Sequence, residues 1–292
     1  ALQKKNNIEY IIPNTIHLIN QKVFAKVKKL HVFKRKKDFF TLSKSRLVDL
    51  SKLNCILFRK DPPVNEKYIH MTHMLDYLEQ DGVLIINSPQ SIRDFNEKLL
   101  GNNLTNHSVP TLVSSNQDII MSFINKYKQV VVKPLNLMGG QDIIKLSYRD
   151  KSLSRKITNI TQDAEKFIMV QKYLNQIKNG DTRILIINGI VHEDVLVRYP
   201  PKNDFRANLS YGGKFEVKKI KYKHLSHLKD IGVFLKNNRI YFAGVDMIGD
   251  YITEINITSP TGIQQIETKD KYLSSKISKE FEKIVEQYYD DK

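Results

Sequence analysis

The chain has 292 residues, 41% of them hydrophobic and 27% charged, which is enough for about two domains with substantial cores. No run approaches the roughly 20 apolar residues that a bilayer span needs. The opening Ala1-Leu2-Gln3-Lys4-Lys5 has no apolar region behind it of the signal-peptide kind, so a cytoplasmic protein without a membrane partner is expected. The formal net charge of +16 is dispersed, and its densest cluster, Lys34-Arg35-Lys36-Lys37, runs into Asp38-Phe39-Phe40 without repeated basic-aromatic interleaving. That pattern predicts a solvated basic surface and no specific nucleic-acid partner.

In chain order, apolar runs at 10–12, 55–58 and 83–86 read as strands, with a helix between the last two, an α/β pattern. In that helix Tyr68, Met71, Leu75 and Leu78 recur three, four and three apart, one buried stripe that Asp81-Gly82 ends. His70 and His73 lie beside it at metal-pair spacing, but no third ligand is near, so they are read as surface residues. The lone Cys55 sits in an apolar run and reads as a buried structural thiol. Ser91 is placed to cap a helix over 91–100, with Asp94 at capping-box distance. Further on, 118–128 reads as helix, 130–133 and 143–146 as strands, and 183–187 and 190–196 as strands joined by the hairpin signal Asn188-Gly189. Paired strands around Val245 and Ile252 and a last helix over 276–288 complete the chain, with no internal repeat.

Two clusters bear on chemistry. Val130-Val131-Val132-Lys133-Pro134 followed by Met138-Gly139-Gly140 is a buried strand that delivers a lysine, then a glycine turn whose bare backbone can approach phosphate oxygens. Neither the P-loop nor the dinucleotide fingerprint occurs in the chain. The second cluster is sharper. Glu254 and Asn256 are two apart in one strand, so both leave the same face, and Asp246 interrupts the apolar strand before it. A strict two-residue turn at Gly249-Asp250 would aim Asp246 at the opposite face, so an odd connection or a bulge is expected if the three are to share hard cations. No Ser/His/Asp or Cys/His arrangement suggests nucleophilic catalysis.

With these segments, Arg59-Lys60-Asp61-Pro62-Pro63, residues 87–99, Gly180-Asp181-Thr182-Arg183, Arg206-Ala207-Asn208-Leu209 with Gly212-Gly213, and residues 253–261, the chain resembles the prokaryotic glutathione synthetase family along nearly its whole length. The resemblance implies an α/β (α+β) ATP-grasp fold: an N-terminal α/β domain over 1–92, a small lid subdomain over 93–174 and a C-terminal α/β subdomain over 175–292. It also implies a strand and most of a helix, roughly 25 to 30 residues, ahead of Ala1. The implied reaction joins γ-glutamylcysteine and glycine into glutathione through an acyl phosphate, releasing ADP and phosphate. Alternatives are another ATP-grasp carboxylate-amine ligase, for D-alanine or a protein tail, or a basic nucleic-acid binder that retains the fold.

By the same resemblance, Lys98 and Lys133 contact the ATP phosphates and Gly139 and Gly140 lie in the loop over them. Gln171, Lys172, Tyr173 and Leu174 form the linker whose backbone reads adenine, and Asp181 lies near the ribose. Asp246, Glu254 and Asn256 hold two Mg2+ ions, for which Mn2+ can substitute. Arg183, Arg206 and Ser259 serve the reacting acyl phosphate, and Arg59, Asp61, Arg198, Asn208 and Thr261 the peptide substrate. Residues 199–214 form a mobile lid, and the assembly is a homo-oligomer, a tetramer. Gln264-Gln265 depart from the charged residues the family commonly has, near the glycine end of the site.

Overall fold

A computed structural model of the protein describes every residue except Lys36, one of the four in the basic cluster, and Lys292. After a single 3-10 turn at Leu2–Lys4 come β1 (Glu9–Ile11), β2 (His17–Ile19), β3 (Lys22–Val32), β4 (Phe40–Leu42) and β5 (Arg46–Asp49). The other four strands all pair antiparallel with the long β3. Val23, Ala25 and Val27 alternate inward along it.

Next, β6 (Cys55–Leu57) and β7 (Leu84–Ile86) pair in parallel, and α1 (Glu66–Gln80) crosses between them. Asn65 caps α1 by accepting from the Tyr68 amide at 3.1 Å. The expected stripe is found: Tyr68, Met71, Leu75 and Leu78 are buried in one cluster with the inward residues of β3. Each is worth about 1.5–3 kcal/mol of burial. Cys55 is half-buried rather than fully buried, because it lies at the start of an outer strand.

The helix expected over 91–100 differs. It is α2 (Pro89–Asp94), with Pro89 in its first turn and Ser88 in the N-cap position, while Ser91 lies inside and donates to the Asn238 carbonyl. A separate short helix, α3 (Leu100–Leu104), follows. Residues 95–99 are not helical because Glu97 and Lys98 are drawn toward a neighbouring strand.

A four-stranded antiparallel sheet comes next, built from β8 (Thr111–Ser114), β9 (Gln129–Pro134), β10 (Ile144–Ser147) and β11 (Ile168–Lys172) in the order β10-β9-β11-β8. The helices α4 (Gln117–Tyr127) and α5 (Leu153–Thr161) contribute to its core. Val130 and Val132 point into that core, so alternation turns Val131 and Lys133 to the other face, where they line a cleft.

The last sheet contains β12 (Asp181–Ile187), β13 (Ile190–Val191), β14 (Asp194–Tyr199), β15 (Lys214–Lys219), β16 (Phe242–Ile248) and β17 (Tyr251–Asn256). Its main order is β15-β14-β12-β16-β17, with β13 paired to β12. Asn188 and Gly189 take φ of 51° and 78° in the predicted hairpin, but the strand expected over 190–196 is broken at His192 and Glu193. Helix α6 (Leu225–Asn237) covers one face, and α7 (Ile263–Ile266) and α8 (Leu273–Asp290) the other. That second face is apolar at one end, where Leu185, Ile187 and Phe242 pack with Leu84, Ile86 and α8. Two to four residues along the same strands it becomes charged, at Asp181, Arg183, Arg198 and Asp246.

Candidate active site

The strand pair that decides the site is β16–β17. Ile248 faces Tyr251 across a two-residue Gly249-Asp250 turn and Met247 faces Ile252, but Asp246 faces Glu254. Thr253 is therefore the extra residue of a bulge, and its hydroxyl donates to the Asp246 carbonyl at 3.2 Å. The bulge returns Asp246 to the face that holds Glu254 and Asn256, as strand parity required.

Asp246 is buried, and its carboxylate is saturated. Its Oδ1 accepts from Arg183 Nε at 2.5 Å and lies 3.0 Å from Arg198 Nη2, while Oδ2 accepts from Arg183 Nη2 at 2.8 Å and from Asn256 Nδ2 at 3.2 Å. A carboxylate offers about four acceptor sites. Burial opposes its ionisation, but the two guanidiniums overrule burial and hold the carboxyl below its usual range. Arg198 is shared with Asp181 at 2.6 Å. Asp181 has the weaker claim: burial pushes its pKa up, Arg198 counters, and Asp246 adds repulsion.

Glu254 and Asn256 offer open oxygens that suit a hard divalent cation, and Asp246 joins them where a guanidinium releases one of its oxygens. Asn256 Nδ2 is held by the Gly244 carbonyl and Asp246, which leaves Oδ1 as the acceptor a cation can take. Glu254 Oε1 is 3.5 Å from Lys98 Nζ. Lys133 is buried opposite; burial lowers its pKa, Glu254 opposes that and Lys98 reinforces it. The turn with Gly139 and Gly140, at φ of 66° and 84°, lines the same cleft. Glu97 was not singled out from sequence, yet its Oε1 takes three hydrogen bonds, from the Ile257 and Thr258 amides at 2.7 Å each and the Thr258 hydroxyl at 2.8 Å. One buried carboxylate thus fixes the segment that follows β17.

The cleft is open, with about 1070 Å³ of space including the solvent at its mouth. It brings together Lys133, Gly139, Gly140, Gln171, Lys172, Tyr173, Leu174 and Asp181, together with Arg183, Arg198, Arg206, Asn208, Asp246, Glu254, Asn256, Ser259 and Thr261. Lys98, Arg59 and Asp61 stand just behind this lining. Lys98 donates to the Leu137 carbonyl, Arg59 Nη2 to the Pro260 carbonyl at 2.7 Å, and Asp61 accepts from Ser259 Oγ at 2.6 Å. Sequence reading also missed the apolar end, where Val131, Ile143, Ile177, Phe205 and Ile248 flank the linker. Phe205 meets the Tyr173 ring edge-on at 6.4 Å. Arg206 pairs with Asp204 at 2.7 Å, stacks 3.6 Å from the Tyr211 ring and reaches the Gly140 carbonyl at 3.4 Å. His70 and His73 lie at the surface, 4.0 Å from Glu66 and 3.7 Å from Asp76 on their own helix.

Among solved structures the fold is similar to D-cycloserine synthetase, with a TM-score of 0.64 at 13% identity over 82% of this chain and 86% of that one. It is also similar to D-alanyl-alanine synthetase A of Vibrio cholerae, with a TM-score of 0.60 at 13% identity over 95% and 88%. In sequence the chain is 36% identical to the glutathione synthetase of Coxiella burnetii over 92% of this chain and 84% of that protein. It is 40% identical to that of Buchnera aphidicola subsp. Baizongia pistaciae over 91% and 83%. Residues 1–93 match the family described as prokaryotic glutathione synthetase, N-terminal domain, and residues 97–271 its ATP-grasp domain. With an ATP-grasp fold, a cation-fitting carboxylate cradle and these relatives, the chain belongs to the prokaryotic glutathione synthetase family, the ATP-dependent ligases of glutathione synthesis.

Proposed function

We propose that the cleft joins γ-glutamylcysteine to glycine, with ATP phosphorylating the cysteinyl carboxylate and the glycine amine then displacing phosphate from the acyl phosphate. The observation that supports this best is the bulge that aims Asp246, Glu254 and Asn256 across the cleft at Lys133, next to the glycine turn. When bound there, two Mg2+ ions, or Mn2+ in their place, would neutralise phosphate charge as it develops. The chain's own groups do the rest. Lys98 and Lys133 bind phosphate oxygens, Gly139 and Gly140 bring bare backbone to them, and the linker 171–174 with Phe205 holds the purine. Asp181 meets the ribose. Arg183 and Arg206 stabilise the charge of the acyl phosphate, and Ser259, fixed by Asp61, orients the carboxylate. Arg59, Arg198, Asn208 and Thr261 hold the dipeptide, and the lid over 199–214 excludes water. In this reading 1–92, 93–174 and 175–292 are the working domains and the protein is a cytoplasmic homo-oligomer, a tetramer.

The test is ADP release, expected only with ATP, a divalent ion, γ-glutamylcysteine and glycine together. Glu254→Gln should cost orders of magnitude with the fold intact, because charge is lost with little change in volume. Asp246→Asn should cost as much in rate and about 3–5 kcal/mol in stability besides, because Arg183 and Arg198 lose their buried counter-ion. Equal turnover with D-alanine in place of glycine, or near-normal turnover by either variant at limiting Mg2+, would overturn the assignment.

A further inference from the structure

A second group of donors lies at the opposite end of β14 from Arg198, about 13 Å along the strand. His192 sits in the link between β13 and β14, Asp194 begins β14, and Asp270 lies in the turn before α8. One ligand atom from each falls within 4.8 Å of the others, and they come from two stretches of chain, residues 192–194 and residue 270. None of the three lines the cleft. We propose that His192, Asp194 and Asp270 form a divalent transition-metal site, with zinc as the fitting ion, that ties the start of α8 to β14.

Two orphaned atoms point to a missing cation. Asp194 is 8% exposed, and its Oδ1 has no hydrogen-bond partner among the described residues. His192 Nε2 is likewise buried and without one, 3.6 Å from Asp270 Oδ2. Buried polar atoms are nearly always paired, so two orphans in one cluster with a third donor are unusual unless something binds between them. Burial lowers the His192 pKa, while Asp270 and then Asp194 pull it up. Lys276 lies 2.7 Å from Asp270 Oδ2 and Lys219 3.3 Å from Asp194 Oδ2. Both lysine side chains are about 60% exposed and can swing into water when a divalent ion takes over the carboxylates. One imidazole nitrogen and two carboxylate oxygens suit zinc, with water as a fourth ligand; magnesium prefers an all-oxygen octahedron. Ligands of tetrahedral zinc lie about 3.3 Å apart, so side-chain rotation must draw the three donors in by roughly an ångström.

Calorimetric titration of Zn2+ into the nucleotide-free protein, with Mg2+ in large excess to fill the oxygen cradle, tests this. One Zn2+ per chain and a raised Tm are expected. His192→Gln and Asp270→Asn should each weaken it by about tenfold or more without changing Mg2+-supported ADP release, and Glu254→Gln should leave it unchanged. The proposal fails if no Zn2+ binds over Mg2+, or if Glu254→Gln abolishes binding while His192→Gln does not. It also fails if NMR shows the His192 ring doubly protonated at neutral pH in the metal-free protein, since a proton would then be the cation.

Discussion

Alanine at Gly139 and at Gly140 separates backbone strain from lid contact. Both glycines have positive φ, 66° and 84°, where a Cβ costs about 1–2 kcal/mol. A Cβ on Gly139 would meet nothing within 4 Å, so that variant should lose only this amount, roughly 5- to 30-fold in kcat/KM for ATP. On Gly140 the Cβ would stand 2.7 Å from Asn208 Oδ1 and 3.1 Å from Tyr211 Cε2, both on the segment assigned as lid. Asn208 must move, and Tyr211, against which Arg206 stacks, must follow. Overpacking of this kind adds about 1–3 kcal/mol, so Gly140→Ala should fall about 5- to 160-fold below Gly139→Ala. Initial rates of ADP release against ATP concentration give the comparison, with limited proteolysis of residues 206–213 as a second readout. Wild-type enzyme should be protected by ATP with γ-glutamylcysteine, and Gly140→Ala should not. Equal losses in the two variants, with equal protection, would refute coupling between turn and lid.

Glu97→Ala strands two buried amides and a hydroxyl and should lower stability to urea by about 3–5 kcal/mol. Glu97→Gln keeps the acceptor and removes the repulsion with Glu254 that, after burial, raises the Glu97 pKa, so it should stay within about 1–2 kcal/mol of wild type. Equal destabilisation would remove its role as an anchor of 257–258. Gly232→Ala would stabilise an isolated helix by about 1 kcal/mol, but here its Cβ would lie 2.2 Å from the Gly189 carbonyl oxygen, so Tm should fall; a rise would show that α6 does not sit this close to the hairpin. Burial pushes the Cys55 thiol up to about 12. Alkylation at pH 8 should therefore be slow until denaturant opens the fold, and stability should decline as pH rises past the ordinary thiol value, where only the unfolded chain ionises. Labelling at the rate of a free thiol would contradict this.

Periodicity exposed what local pattern controls. The α1 stripe, the Asn188-Gly189 hairpin and the need for a bulge before Glu254 follow from spacing alone. The sheet around β3 was nearly invisible: its β2–β3 turn uses Asn20 and Gln21 at positive φ with no glycine, and its outer strands are short and largely exposed. Pro89 carries its own start signal for α2, since its fixed φ suits the first helical turn, and it outweighs the cap offered by Ser91. At the site, residue types announced Lys133, Asp246 and Glu254, whereas the pairing of Asp246 with both arginines joins strands distant in sequence. Glu97 acts on residues about 160 positions away, so no local pattern could point to it.

One side chain next to the first sequence-family boundary limits how this protein can be divided. Buried Asn87 donates to the Phe242 and Ile257 carbonyls at 2.8 and 2.6 Å and accepts from the Phe242 amide at 2.9 Å, filling the place of a strand residue between β7 and β16. The apolar cluster around it takes Leu84 and Ile86 from one side and Leu185, Phe242 and Phe281 from the other. A gene cut after residue 93, where the family profiles part, would yield two fragments that each expose half a core and unpaired backbone groups. Expressed singly they should aggregate. Expressed together they have a ready-made seam, which makes this junction a place to build a two-piece ligase whose activity reports on whatever brings the halves together.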